Sequence, residues 1–152
     1  MMLKIETRII DARVGRDFPS PAYATTGSAG MDLRACLDTP QLIAPGEVAN
    51  VGTGIAISIG NPGYMALLAP RSGLGVKHGI VLANTIGIID SDYQNEIRVV
   101  LFNRGTDNYN LHPGERMAQL IIMPVARADL KIISDFSQTT ERDGGFGSTG
   151  RF

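Results

Sequence analysis

The sequence predicts an all-β protein, a compact barrel or sandwich. Breakers come first: 18 Gly and 8 Pro are spread along 152 residues, which interrupts the chain too often for long helices. Short β-branched runs of strand length lie between those breaks. Turn signals separate the runs, at Pro45-Gly46, Asn61-Pro62-Gly63 and Pro113-Gly114.

The elements follow in chain order. Ile5 and Ile9 suggest an N-terminal strand. Val51 to Ile59, Tyr64 to Ala69, Ile80 to Leu82, Ile97 to Phe102 and Met117 to Met123 read as strands. Leu130 and Ile132 mark one more candidate. A short helix is expected after Ser72, a residue suited to capping a helix N-terminus. From Ser137 onward the apolar pattern stops. The end, ERDGGFGSTGRF, is Gly-rich with a single buried-type side chain, Phe146, and reads as an arm that is mobile until something binds it. No internal repeat or linker appears. The expected organisation is one domain, a barrel over residues 1–136 carrying an arm over 137–152.

Composition narrows the function. A hydrophobic share of 43% against 19% charged residues supports a packed core without disulfides or a structural metal. A net charge of -1 is unlike that of a protein built to bind nucleic-acid backbone. Phosphate binding here must come from locally placed Arg and backbone N–H groups. The single cysteine, Cys36, forms no disulfide within the chain and fits a reduced cytoplasm. The start, MMLKIETRII, has no apolar run long enough for a signal peptide. No stretch approaches the ~18 apolar residues of a membrane span. With only His78 and His112 beside one Cys, the donors argue against a His/Cys zinc site. Carboxylates could still recruit magnesium through a substrate's phosphates.

Five segments could carry chemistry. Gly87-Ile-Ile-Asp-Ser-Asp-Tyr93 sets two carboxylates beside an aromatic ring, directly after an apolar stretch. Read alone, it is either a hairpin with a solvated acidic turn or a site where one carboxylate activates water and the ring packs on a ligand. Asp90 and Asp92 would share a face if strand alternation held through the turn. In Pro70-Arg-Ser-Gly-Leu-Gly75, Arg71 can neutralise a phosphate and Ser72 can donate a hydroxyl bond. The same residues also fit an ordinary helix cap beside a surface Arg. Ala29-Gly-Met-Asp-Leu-Arg-Ala35 reads as a strand with a structural Asp32–Arg34 ion pair around Leu33. In Pro113-Gly-Glu-Arg-Met-Ala-Gln-Leu-Ile121, Gln119 interrupts an apolar strand, and a buried amide needs partners. The arm's Gly145-Phe-Gly-Ser-Thr-Gly150 matches a dinucleotide fingerprint. That reading fails, because no strand precedes the segment and no helix can follow it. Its backbone N–H groups could still cradle phosphate.

Together, AGMDLRA, PRSGLG, GIIDSDYQNEI, PGERMAQLI and GGFGSTG, in this order and spacing, resemble the motifs of the dUTP pyrophosphatase (dUTPase) family. The likeness is to its bacterial homotrimeric enzymes and covers nearly the whole chain. It implies a jelly-roll-like β-barrel of the β-clip type, with one short helix and a mobile C-terminal arm. It also implies hydrolysis of dUTP to dUMP and pyrophosphate with Mg2+. That reaction keeps uracil out of DNA and supplies dUMP for thymidylate synthesis.

The resemblance assigns roles residue by residue. Asp90 would be the general base for water attacking the α-phosphorus. Tyr93 would stack on the deoxyribose and exclude a 2′-hydroxyl. A hairpin from Asn84 to Ile97 would hold uracil through backbone groups and the Asn84 amide. Arg71, Ser72, Gly73 and Gln119 would bind the phosphates, with Asp32 orienting Arg71 from behind. The arm would close over the nucleotide with Phe146 on uracil and Gly147 in the glycine-rich turn. Ser148, Thr149 and Arg142 would lie near the β- and γ-phosphates. Magnesium would sit on the phosphates and water, with no direct protein ligand. A homotrimer with sites shared between subunits is implied, without nucleic-acid or membrane partners.

Two departures from the family pattern stand out. The arm is one residue shorter between Arg142 and its glycines, and Asn95 stands where the family has Gly. Asn is the non-glycine residue that best tolerates positive φ, so the turn is expected to survive. The alternatives are a dCTP deaminase of the same fold family and a binding module without turnover. The first would need another polar set at the base. The second would have no reason to keep Asp90, Tyr93 and the arm together.

Overall fold

The computed structural model describes residues 2–137. Its elements are β1 (Glu6–Ile9), β2 (Met31–Arg34), β3 (Gln41–Ile43), β4 (Val48–Ser58), β5 (Tyr64–Pro70), α1 (Ser72–His78), β6 (Ile80–Leu82), β7 (Gly87–Ile89), β8 (Glu96–Asn103), β9 (Tyr109–Leu111) and β10 (Arg116–Pro124). They form two four-stranded sheets, β1-β4-β8-β6 and β2-β10-β5-β7, with a two-stranded β3-β9 ribbon. The pairings between these strands are antiparallel.

Period-2 patterning decides which faces meet. In β8, Ile97, Val99 and Leu101 point inward while Arg98 points to solvent. From the other sheet, Leu33, Ala66, Leu68, Met117 and Leu120 meet them in one apolar core. The core strands contain no Lys or Glu on their buried faces, so the core closes without buried charge.

A buried amide pins one end of the barrel. Asn103 is fully buried at the end of β8. Its Nδ2 donates to the Ile43 and Asp107 carbonyls, both at 2.8 Å, and its Oδ1 accepts from Gly105 N at 2.9 Å. Each of its polar atoms is thereby satisfied. Close by, α1 ends at Gly79 with φ +71. A Cβ there would lie 2.5 Å from Gly105 N, so both the left-handed cap and the close approach require glycine.

Of the expected strands, Ile80–Leu82 has its expected bounds, the others are extended or shifted by a few residues, and the candidate at Leu130 and Ile132 does not form. Three differences have physical causes. Leu130 and Ile132 lie outside any strand and are exposed, because a strand needs a ladder partner and the described residues offer that segment none. β3 and β9, of three residues each, exist through pairing rather than through any pattern of their own. The expected hairpin from Asn84 to Ile97 is not a two-stranded hairpin: β7 pairs with β5 in one sheet, and β8 pairs with β4 and β6 in the other. The loop between them crosses from sheet to sheet.

Candidate active site

Sheet register brings three of the motifs together. Gln119 on β10 lies opposite Asp32 on β2 and opposite Ala69 on β5, so one row of side chains crosses three strands. Arg71 follows Ala69 by two residues and continues the same face. Its backbone is extended, with φ -89 and ψ 130, and it occupies the N-cap of α1 without capping through its side chain. Ser72, expected to be the cap, is instead the first helical residue and is exposed. Gly73 follows it, exposed, with open space around its Cα.

Charge organises this face. Arg71 Nε donates to Asp32 Oδ1 at 3.0 Å, and Arg116 Nη1 donates to Asp32 Oδ2 at 3.2 Å. Arg71 Nη1 also donates to the Arg116 carbonyl at 3.3 Å. Asp32 therefore pairs with Arg71 and Arg116. The expected Asp32–Arg34 pair does not form; Arg34 Nη1 donates to the Gly114 carbonyl at 2.8 Å. Asp32 and Arg34, two apart, share a strand face, but both carboxylate oxygens of Asp32 are taken by Arg71 and Arg116 and the Arg34 guanidinium is turned to the Gly114 carbonyl. Beside this cluster, Tyr109 donates to the Glu115 carboxylate. Burial first, then that acceptor, pushes the Tyr109 phenol above its ordinary range, so it remains a donor.

The acidic loop is built differently. Tyr93 N donates to the Asp90 carbonyl at 3.1 Å, closing a turn at residues 91–92 that breaks strand alternation between Asp90 and Asp92. Both carboxylates are exposed. Tyr93 Oη donates to the Glu96 carbonyl at 3.1 Å. Glu96 in turn accepts from Gly54 N and from Arg98 Nη1, both at 3.0 Å. It fills the irregularity in β4 between Gly52 and Ala56. The Tyr93 ring is thus fixed to the β1-β4-β8-β6 sheet.

In the preceding loop, between β6 and β7, Asn84 is exposed and its carbonyl accepts from Ile86 N at 2.7 Å. Thr85 between them has φ 67. Left-handed backbone is a strained state for a β-branched residue. Asn95, expected to need positive φ, does not adopt it. The turn at Asn95 therefore forms without a left-handed residue, and the conformational freedom of glycine is not required there.

One chain does not bring all these residues together. Ile89, the neighbour of Asp90, lies opposite Ala66, five residues from Arg71, which is about 17 Å of strand. Asp32 lies on the sheet's opposite edge from β7, about 14 Å away across three strand spacings. Asp32, Arg71, Arg116 and Gln119 form one cluster, while Asp90 and Tyr93 lie in the loop after β7 and Asn84 in the loop before it. Arg142, Phe146, Gly147, Ser148 and Thr149, with the arm over 138–152, lie outside the described residues.

Arg116, Thr85 and Glu96 escaped sequence reasoning. Arg116 sits inside the segment that flagged Gln119, but its direction depends on the register shift between Arg116 and Ala118, which sequence does not show. Among the described residues no group of three or more His, Cys, Asp or Glu could hold a metal, and no helix is long and apolar enough to cross a membrane.

A family model described as dUTPase matches residues 16–150. The deoxyuridine 5'-triphosphate nucleotidohydrolase of Aeromonas hydrophila is 56% identical over 151 residues, 99% of each chain. That of Escherichia coli O1:K1 / APEC is 54% identical over the same share. A mutant dUTPase of Staphylococcus bacteriophage 80alpha, solved with dUpNHpp, superimposes with a TM-score of 0.83 at 24% identity, over 98% of this chain and 99% of that one. A mutant dUTPase from phage phi11 of S. aureus, solved with a structural Mg(II) ion, gives 0.77 at 22% identity, over 89% of this chain and 99% of that one. At those identities the two phage proteins speak to the fold alone.

Proposed function

This chain belongs to the dUTPase family, and on that premise we propose that it hydrolyses dUTP to dUMP and pyrophosphate at a site completed by a second copy of itself. The observation that carries the reading is the division of the site. The cationic cluster around Arg71, part-buried, and the acidic loop around Asp90, exposed, stand on separate parts of one chain, each lacking what the other has.

Asp90 holds the water and takes its proton as that water attacks the α-phosphorus. Tyr93 packs on the deoxyribose and leaves no room for a 2′-hydroxyl. The Asn84 amide and the backbone of the crossing loop read uracil. Arg71, Ser72, Gly73 and Gln119 take the phosphates, and Asp32 fixes the plane of Arg71. Phe146, Gly147, Ser148, Thr149 and Arg142 come from the arm over 137–152, which closes on the nucleotide and belongs to the same domain as the barrel over 1–136.

The donor set fits a magnesium ion carried on the substrate, because three phosphate oxygens and water need no protein cage. When bound, that ion neutralises charge on the triphosphate and its leaving group.

A homotrimer is supported by two unpaired features of the monomer. β1 is an edge strand with exposed residues throughout. The segment after β10 leaves Leu130, Ile132 and Phe136 more than four-fifths exposed. Exposed edges and apolar tails of this kind are covered by other copies. The lone Cys36 agrees with a cytoplasmic site of action.

The test is pyrophosphate release from dUTP, UTP, dCTP and dTTP side by side, with and without magnesium. The reading expects release from dUTP alone, dependent on magnesium. Equal release from UTP, or ammonia release from dCTP, would replace it.

A further inference from the structure

Arg116 has no role in the account above, yet it touches both partners of its central ion pair. We propose that Arg116 is a positioning residue that keeps the Arg71–Asp32 pair cationic toward a triphosphate; this rests on the reading of that face as the phosphate subsite.

The argument is one of charge. A carboxylate and one guanidinium make a neutral pair, which offers little net attraction to a polyanion. Asp32 Oδ1 is taken by Arg71 and Oδ2 by Arg116. Two guanidinium groups on one carboxylate leave the cluster with one net positive charge. The geometry adds a second hold, since the Arg116 carbonyl accepts from Arg71 Nη1. One residue therefore fixes Arg71 through its backbone and Asp32 through its side chain. The register shift after Arg116 makes this possible. Arg116 lies opposite Arg34, while Ala118 already lies opposite Leu33, so the irregularity re-aims the Arg116 side chain from its regular position.

Neighbouring charged groups do not compete for Arg116. Glu115 is engaged by Tyr109 and by His112 N, and Arg34 is turned to Gly114. The Arg116 side chain is about half exposed, against roughly a fifth for Asp32 and Arg71. Removing it therefore empties no core.

A double-mutant cycle tests the proposal. The chains are the full-length wild type, Arg116→Gln, Asp32→Asn, the double variant and Arg116→Lys. The readouts are KM and kcat for dUTP, and binding of inorganic tripolyphosphate by calorimetry. Arg116→Gln is expected to raise KM about tenfold and weaken tripolyphosphate similarly, with kcat changed less than about threefold. Arg116→Lys, which keeps the charge, should recover most of that loss. In the Asp32→Asn background, where no carboxylate remains to be neutralised, Arg116→Gln should cost less than about twofold. A tenfold cost persisting in that background would mean Arg116 meets phosphate itself, and would overturn the positioning role. So would an unchanged KM for Arg116→Gln, or a joint fall in Tm and kcat at constant KM. Failure of the family reading shows separately, as a wild type that binds tripolyphosphate but releases no pyrophosphate from dUTP.

Discussion

The Tyr93 hydroxyl donates to the Glu96 carbonyl at 3.1 Å, which ties a half-exposed ring in one loop to the sheet that supports it. This bond separates two properties of the ring. In the proposed site its plane would pack against the nucleotide, and its hydroxyl sets where that plane stands. Tyr93→Phe keeps the plane and should change the dUTP-to-UTP ratio of kcat/KM less than about threefold, since a half-exposed neutral bond is worth about 1 kcal/mol or less. Tyr93→Ala should narrow the ratio by more than about tenfold. Steady-state kinetics with both nucleotides decide it, and equal ratios in the two variants would move sugar selection elsewhere.

Thr85 carries the only positive φ outside glycine among the described residues, next to Asn84. Strain at functional loops is maintained by the structure around it. Thr85→Gly removes about 1 kcal/mol of strain and adds a comparable loss through the freedom of the unfolded chain. Melting temperature should therefore stay within about 2 °C, while KM for dUTP rises as the turn beside Asn84 loosens. A fall of several degrees in Tm with constant KM would show that the turn serves stability only.

Asn103 is a buried polar residue whose bonds tie the turn over residues 103–107 to the end of β3 at Ile43. Asn103→Leu leaves the Ile43 and Asp107 carbonyls and Gly105 N without their partner. Unsatisfied buried groups make this cost about 3 kcal/mol. Denaturant unfolding should show a lower midpoint with an unchanged slope. A loss under about 0.5 kcal/mol would mean that water replaces the amide.

Cys36 gives a pH test free of interference, because the chain has no other cysteine. Burial first, then its hydrogen bond with Asp11, pushes its thiol up to about 11. The Arg13 guanidinium beside Asp11 holds that carboxyl well below the usual carboxylate range, so it stays charged next to the sulfur. Folding thus disfavours the thiolate. The associated stability is complete below the unfolded value of about 8.5 and is lost as pH rises toward 11. Alkylation by iodoacetamide at pH 8 should be slow and should accelerate up to pH 11. Stability should fall across that window in the wild type but less in Cys36→Ala. Labelling at pH 8 as fast as a free thiol would refute the shift.

Much of this molecule was legible in its sequence. Strands with long β-branched runs announced themselves, and so did the turn glycines, because patterning and backbone freedom are local. The crossing of the acidic loop between sheets was not legible, since pairing partners such as Ala66 for Ile89 are chosen globally. The Asp32–Arg71 bond was anticipated through family likeness, whereas Arg116 was hidden by a one-residue register shift. Positive φ was weighed at Asn95, where the backbone does not adopt it, and missed at Thr85, because turn chemistry names tolerant residues and not the one that tertiary structure compels.

The division of the site between copies is tested most directly by mixing two inactive chains. Asp90→Asn and Arg71→Ala should each lose most dUTP turnover alone. Unfolded together, refolded as mixed oligomers and assayed for pyrophosphate release, they should recover about a quarter of wild-type activity, because random assembly leaves that share of shared sites intact. Mixed oligomers that form and yet stay inactive at every ratio would show that each chain builds its site alone.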